Sequence, residues 1–327
     1  MELKRLKRQF GLFFANQLAW FLVVLFYLGF AAIKPHAFLN SEIPVFLVYS
    51  SVHLGLLVLA ESVALFTGNF DLSIESQVAL IGMASGVILM SLPKESILSN
   101  VLGIMLPILI GFVLGLINGA FVGLLKFNPF LVTLGTYIAY RGASLLIRPQ
   151  SIWARELPSS FINAGADPIV TIIWFAVVLV AFGIFFKYTR LGNYIYAVGG
   201  DPETCKMMGI PSGRIVFIAF GIVGILCGLA TLAYAGFNKG IPINIALGAT
   251  FPAFAGAVIG GVSLSGGRGS LINAFAGALL VGVLDGGLTM FNISPDARRV
   301  AFGMLVIGAI AIDRFRERLR DAMLRPV

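Results

Sequence analysis

Ten apolar runs follow one another along this chain, separated by polar breaks rich in glycine and proline. They lie near 13–33, 43–67, 74–92, 99–125, 130–147, 169–187, 214–235, 244–262, 271–291 and 299–313. A hydrocarbon core about 30 Å thick needs about 20 helical residues to cross it, and most of these runs reach that length. The fifth, eighth and tenth are short or bounded by glycine and proline, and are expected to be partial or broken helices. Of 327 residues, 58% are hydrophobic and 12% charged, against about 25% charged in soluble domains. The runs do not alternate apolar with polar, which excludes a membrane β-barrel, and a backbone in lipid must satisfy its own hydrogen bonds. The fold class is therefore an all-α integral membrane protein, with about ten transmembrane helices in a single domain over 1–327.

Residues 1–33 pair a basic start with an apolar run of about 20 residues and no small-x-small cleavage site, so they read as a retained first span. The net charge of +8 sits mostly beside spans, in "KRLKR" (4–8) and "RFRERLR" (314–320). No basic face carries interleaved stacking aromatics, so no nucleic-acid partner is expected. With both termini cytoplasmic, the inside segments hold Lys4, Arg5, Lys7, Arg8, Lys126, Lys187, Arg190, Lys206, Arg214, Arg268, Arg314, Arg316, Arg318, Arg320 and Arg325. That is 15 of the 23 basic residues, and cytoplasmic loops are the ones that carry such an excess. The chain is thus expected in the cell membrane, in contact with lipid. Residues 188–213 form a cytoplasmic loop, 314–327 a basic cytoplasmic tail, and Arg148–Pro168 faces outward.

Glycines 111, 115 and 119 recur every four residues, as do the pairs Gly256/Gly260 and Gly282/Gly286. Small residues let helix backbones approach closely in lipid, where apolar side chains gain little from one another. "GLING" (115–119), followed by Pro129, is echoed by "GVLDG" (282–286), followed by Pro295. The two motifs run in opposite directions across the membrane, as a five-plus-five inverted repeat requires.

Polar residues inside spans are costly and mark functional candidates. In "GNFDLSIESQ" (68–77), Asp71 or Ser73 can cap the third helix and Glu75 complements its dipole. Capping alone accounts for this motif, and a helix start facing a central path is the sharper reading. Asp71, Asn118, Arg141 and Asp285 form the candidate translocation path. Glu61 and Arg141 have snorkelling as their simpler explanation, while Asp285 is placed deeper. The loop "GGVSLSGGRGS" (260–270) lacks the Lys and Ser/Thr of a phosphate-binding loop and reads as a re-entrant turn. His36 and His53 fit no metal-ligand pattern, so no metal is expected, and Cys205 and Cys227 are expected as free thiols.

"GGDPETCKMMGI" (199–210) interrupts the apolar chain. Gly199 and Gly200 break it, Asp201 is an N-cap, Pro202 suits the first helical turn, and Glu203 complements the dipole. Gly209 is a stop signal. A helix of about seven residues is too short to stand alone in water. Its apolar side, Cys205, Met208 and Ile210, therefore needs either the bundle or a partner's groove.

The ordered set "GNFDLS", "GLINGAFVGLLKFNPFLVTLGTYIAYRG", "TRLGNYIYAVGGDPETCKMMGI" and "AVIGGVSLSGGRGS" resembles the membrane permeases of bacterial and archaeal ABC sugar importers of the ribose, xylose and galactose type. The resemblance covers about 45–313. It implies a non-catalytic subunit that pairs with a second copy or a sister permease and works with an extracytoplasmic sugar-binding protein. ATP and magnesium are bound by a separate ATPase subunit, and the chain itself needs no cofactor. The segment matching Gly199–Ile210 is then the short helix that docks in a cleft of the ATPase. The sequence departs from the family around Asp71 and at Thr250 and Pro252, which stand where acidic residues are usual. The expected function is alternating-access import of a monosaccharide or related polyol. The rival readings are an ion-coupled secondary transporter of a small polar solute and a non-transporting membrane scaffold or receptor.

Overall fold

The computed structural model describes residues 17–324. The basic stretch at 4–8, the start of the first run and Arg325 lie outside the described residues. The main helices are α1 (Leu18–Ile33), α2 (Glu42–Phe66), α3 (Ile74–Met90), α4 (Ile97–Gly119), α5 (Pro129–Ile147), α6 (Ser159–Ala166), α7 (Pro168–Tyr188), α8 (Arg190–Gly200), α9 (Pro202–Met207), α10 (Ser212–Phe237), α11 (Thr250–Ile259), α12 (Leu271–Met290) and α13 (Pro295–Leu324). α4 continues into a π-helical turn, Ala120–Leu124.

Among the described residues, six helices are long and apolar enough to cross a membrane: α2, α4 with its π turn, α5, α7, α10 and α12. α1, α3 and α11 are apolar but shorter. The eighth run was expected over 244–262, yet only Thr250–Ile259 is helical. Residues 244–249 instead belong to the loop that follows Phe237, which also carries β2 (Gly240–Ile241), paired antiparallel with β1 (Ile152–Trp153). Ala246 and Gly248 explain this: both take positive φ, which no helix continues through.

α2 is buried on every side from Gly55 to Phe66, and α10 and α12 are buried over most of their length. A helix apolar all round belongs in the middle of a bundle. α4, α5 and α7 are mostly exposed and lie around this centre. The glycine stripes set the closest approaches. Gly111, Gly115, Gly119 and Gly123 of α4 and its π turn lie backbone to backbone on α10, against Gly224, Phe220, Phe217 and Gly213. Gly277 of α12 abuts Gly256 of α11, and Gly282 and Gly286 lie against Ser51 and Leu47 of α2. A methyl group at Gly224 or Gly277 would overlap the carbonyl oxygen of Gly111 or Gly256.

The packing order is crossed. α4 packs on α10 and α12 on α2, while α3 packs on α5 and α11 on α13. α13 runs to Leu324, so residues 314–324 continue a helix. In it Arg316 is buried and donates to the carbonyls of Val258 (2.8 Å) and Ile259 (2.8 Å), capping the end of α11.

Candidate transport site

The four residues expected along one path occupy three places. Asp71 and Asn118 meet in a buried knot. Gly68, with φ +75°, turns the chain out of α2, and residues 69–73 then lead into α3. Asp71 accepts from the Ser73 amide (2.8 Å), the Ser73 hydroxyl (2.6 Å), the Gln77 amide (2.9 Å) and the Asn118 amide (3.3 Å). Asn118 also donates to Ser73 Oγ (2.8 Å) and accepts from the Tyr140 hydroxyl (3.2 Å). Ser73 stands at the N-cap of α3, but neither its side chain nor that of Asp71 bonds a backbone amide of the helix; both serve one network instead. Glu61 does not snorkel: it is 1% exposed, and its carboxylate accepts the Asp71 N–H at 3.4 Å.

Arg141 does not snorkel either. It sits 3.8 Å from the buried carboxylate of Glu75 and donates to the Ile245 carbonyl at 3.4 Å. Glu75 also accepts from the Tyr137 hydroxyl (3.2 Å) and from the backbone N–H of Thr250 (3.0 Å). Thr250 opens α11 and Glu75 lies in the first turn of α3, and the Thr250 hydroxyl donates to the Leu72 carbonyl (3.4 Å). Two helix N-termini thus meet at one carboxylate. Sequence reading missed this convergence because Glu75 and Thr250 lie 175 positions apart.

Asp285 stands apart and is half exposed rather than deep. Its carboxylate pairs with Arg298 at 2.7 Å, and Arg298 also donates to the Thr289 hydroxyl at 2.7 Å. The pair lines a cavity of about 580 Å³ between α2, α10, α12, α13 and the segment 238–249. His53 lies in its wall, its ring 4.3 Å from that of Tyr234 and 4.9 Å from that of Phe237. Asn118 and Asp285, matched in the sequence echo, therefore have different surroundings.

At the opposite end of the bundle lies "GGDPETCKMMGI". Gly199 and Gly200 end α8 instead of breaking the chain, and α8 itself was not expected. Asp201 then caps α9, accepting from the amides of Glu203 (3.1 Å) and Thr204 (3.1 Å). Those bonds and the Thr204 hydroxyl hold its carboxyl below the usual carboxylate range. Pro202 opens the helix, Glu203 is in its first turn, and Gly209 ends the motif at φ +80°. Cys205 is buried and belongs to the bundle rather than to the exposed side. Met207 and Met208 are 81% and 64% exposed. Behind this helix three backbones touch. Gly267 donates its N–H to the Phe66 carbonyl (3.1 Å), and Gly199 fits between Phe66 and Gly267. Gly266 lies against Gly68 and the Gly199 carbonyl. The Tyr196 hydroxyl adds a bond to the Gly269 carbonyl at 3.3 Å.

The sequence profile of the branched-chain amino acid transport system / permease component family matches residues 43–310. The chain belongs to that family. The permease is 30% identical over 313 residues to the D-allose transport system permease protein of Escherichia coli (strain K12), covering 93% of both chains. Over 319 residues it is 31% identical to the autoinducer 2 import system permease protein of Enterobacter sp. (strain 638), covering 95% of this chain and 89% of the relative. The galactose/methyl galactoside import permease protein of Escherichia coli (strain K12) is 28% identical over 288 residues, with 83% and 85% covered. No solved structure matches the permease.

Proposed function

We propose that the chain is the membrane permease of an ATP-driven importer, carrying a monosaccharide or similar small polyol into the cytoplasm. The observation that carries this reading is family membership over 43–310, together with sugar-import relatives aligned along most of their length. The end bearing α9 is assigned to the cytoplasm, which puts both termini there and the cavity by Asp285 on the outer face. Six evident spans are read together with α1, α3 and α13 as crossings, and α11, ten residues long, as a partial helix. The crossed packing supports an inverted repeat: Gly115 and Gly119 lie on α10 as Gly282 and Gly286 lie on α2.

Two copies, or this chain and a sister permease, would flank the path. An extracytoplasmic sugar-binding protein delivers solute, and an ATPase subunit binds ATP and magnesium. The cleft of that ATPase receives α9 through Met207 and Met208. Closure of the ATPase pair moves α9, and α8 passes the displacement to the end of α2 and to the 260–270 turn. The pathway states must differ in free energy with the ATPase state for this coupling to act.

The test is uptake by proteoliposomes containing this chain, its ATPase and its binding protein. Accumulation of sugar that stops with a hydrolysis-dead ATPase is the expected result. Uptake that persists, driven by a proton or sodium gradient, would overturn the importer reading.

A further inference from the structure

The cavity beside Asp285 has a lining that restricts what it can hold. Its volume, about 580 Å³, falls within the range of about 300–1,000 Å³ usual for small-molecule sites. Its fixed charges are already cancelled in pairs, Asp285 with Arg298 at 2.7 Å and Arg299 with Asp296 at 2.9 Å. At the Asp285–Arg298 pair an ionic solute would have to displace one of the two partners. A hydroxyl does not, because it donates to the carboxylate and accepts from the guanidinium at once. Arg298 has capacity to spare: its Nε is buried and finds no hydrogen-bond partner among the described residues. A buried donor left unmade is costly; this Nε is closed to solvent, so only a shift of the Arg298 side chain would bring it to a hydroxyl in the cavity. The rings of Tyr234 and His53, which also line the cavity, give the C–H side of such a molecule an apolar surface.

We propose that this cavity is a holding site within the permease for an uncharged polyhydroxyl solute, bound between the Asp285–Arg298 pair and the Tyr234–His53 wall. The proposal rests on the importer reading for its place in transport, but not for the binding itself. The cavity floor is the segment 238–249. Ile245 lines the cavity while its carbonyl accepts from Arg141. Solute released inward must therefore pass a floor tied to the Glu75–Arg141 cluster.

The test uses the full chain in lipid nanodiscs, with Thr289→Cys as reporter and Ser50→Cys as a second reporter on α2. Native Cys205 and Cys227 are buried, so background labelling is low. Alkylation by a membrane-impermeant maleimide is followed with D-allose, D-galactose, D-fructose or L-arabinose present, and with glucuronate as the charged control. At least one neutral sugar should slow labelling about threefold at twice its dissociation constant, glucuronate should not, and Asp285→Asn should abolish the protection. In the assembled transporter, Asp285→Asn should raise the KM of uptake about tenfold with little change in maximal rate. No protection at either reporter by any neutral sugar, or equal protection by glucuronate, would overturn the proposal. If wild-type uptake fails while protection is seen, the importer reading falls and the site stands. If uptake succeeds without protection, only the site falls.

Discussion

The carboxylate of Glu75, in the first turn of α3, accepts the backbone N–H of Thr250 at 3.0 Å, so one side chain sits at the N-termini of both α3 and α11. Each terminus presents free N–H groups and a partial positive charge, and Arg141 adds a full one at 3.8 Å. Glu75→Gln keeps the shape and removes the charge that all three face. It is expected to lower stability by about 2–3 kcal/mol, between exposed and fully buried ion pairs. Tyr137→Phe should cost about 1 kcal/mol, the usual worth of one hydrogen bond. Thermal unfolding in detergent micelles checks both, and an unchanged midpoint for Glu75→Gln contradicts the arrangement.

The Asp71 knot makes a different demand. Asn118 supplies donors to Asp71 and Ser73 and an acceptor to Tyr140. Asn118→Leu, similar in bulk, leaves those buried groups short of partners and should cost about 1–3 kcal/mol or more. Asn118→Asp should be worse than Asn118→Leu, because it replaces the donating amide with acceptors beside the Asp71 carboxyl. Folded yield and unfolding midpoint rank the two, and the reverse order would refute the donor role.

Glycine contacts divide into two kinds. Gly277→Ala puts a methyl into the Gly256 carbonyl, and α12 must separate from α11 to admit it. Gly183, in α7, has open space around it, so Gly183→Ala should be neutral or stabilise by about 0.5–1 kcal/mol through lower backbone entropy. Comparable unfolding midpoints for the two variants would show that the close approach is not a constraint.

Met208→Asp adds charge to the exposed apolar tip of α9 while touching no buried contact. The chain should stay folded, with ATPase association and sugar uptake both reduced. Co-purification and uptake measured on the same preparation decide this. A variant that binds and transports like the parent places the docking surface elsewhere.

Asp201 supplies a pH signature. Its carboxyl is held low by the Thr204 hydroxyl and by the Thr204 and Glu203 N–H groups. A lowered value means that its contribution is complete above the unfolded carboxyl value of about 3.9 and is lost as pH falls through the folded value. Amide protection at Glu203 and Thr204, corrected for intrinsic exchange, should be level above about pH 5 and decline below about pH 4. Asp201→Asn, also a good N-cap, should retain protection without that decline.

Apolar run lengths led directly to the helices, because lipid leaves a spanning backbone few alternatives. The caps of α9 were legible for the same local reason: Asp201, Pro202 and Gly209 act on neighbours a few residues away. Cys205 was misjudged because six helical residues do not say which side meets the bundle. Residues 244–249 were read as part of a helix because apolar composition does not distinguish a span from a loop buried among spans. Glu75 with Thr250, Arg298 with Asp285 and Arg316 with α11 depend on distant segments meeting, and no local pattern carries that information.

Phe66, Gly68, Gly199, Gly266 and Gly267 meet main chain to main chain. Side chains are the part of a protein that gives under load, by changing rotamer or shifting a few tenths of an ångström, and the glycines of this joint have none. In the coupling proposed above, a push on α9 therefore meets main chain at the end of α2 and in the 260–270 turn, with little side-chain give between them.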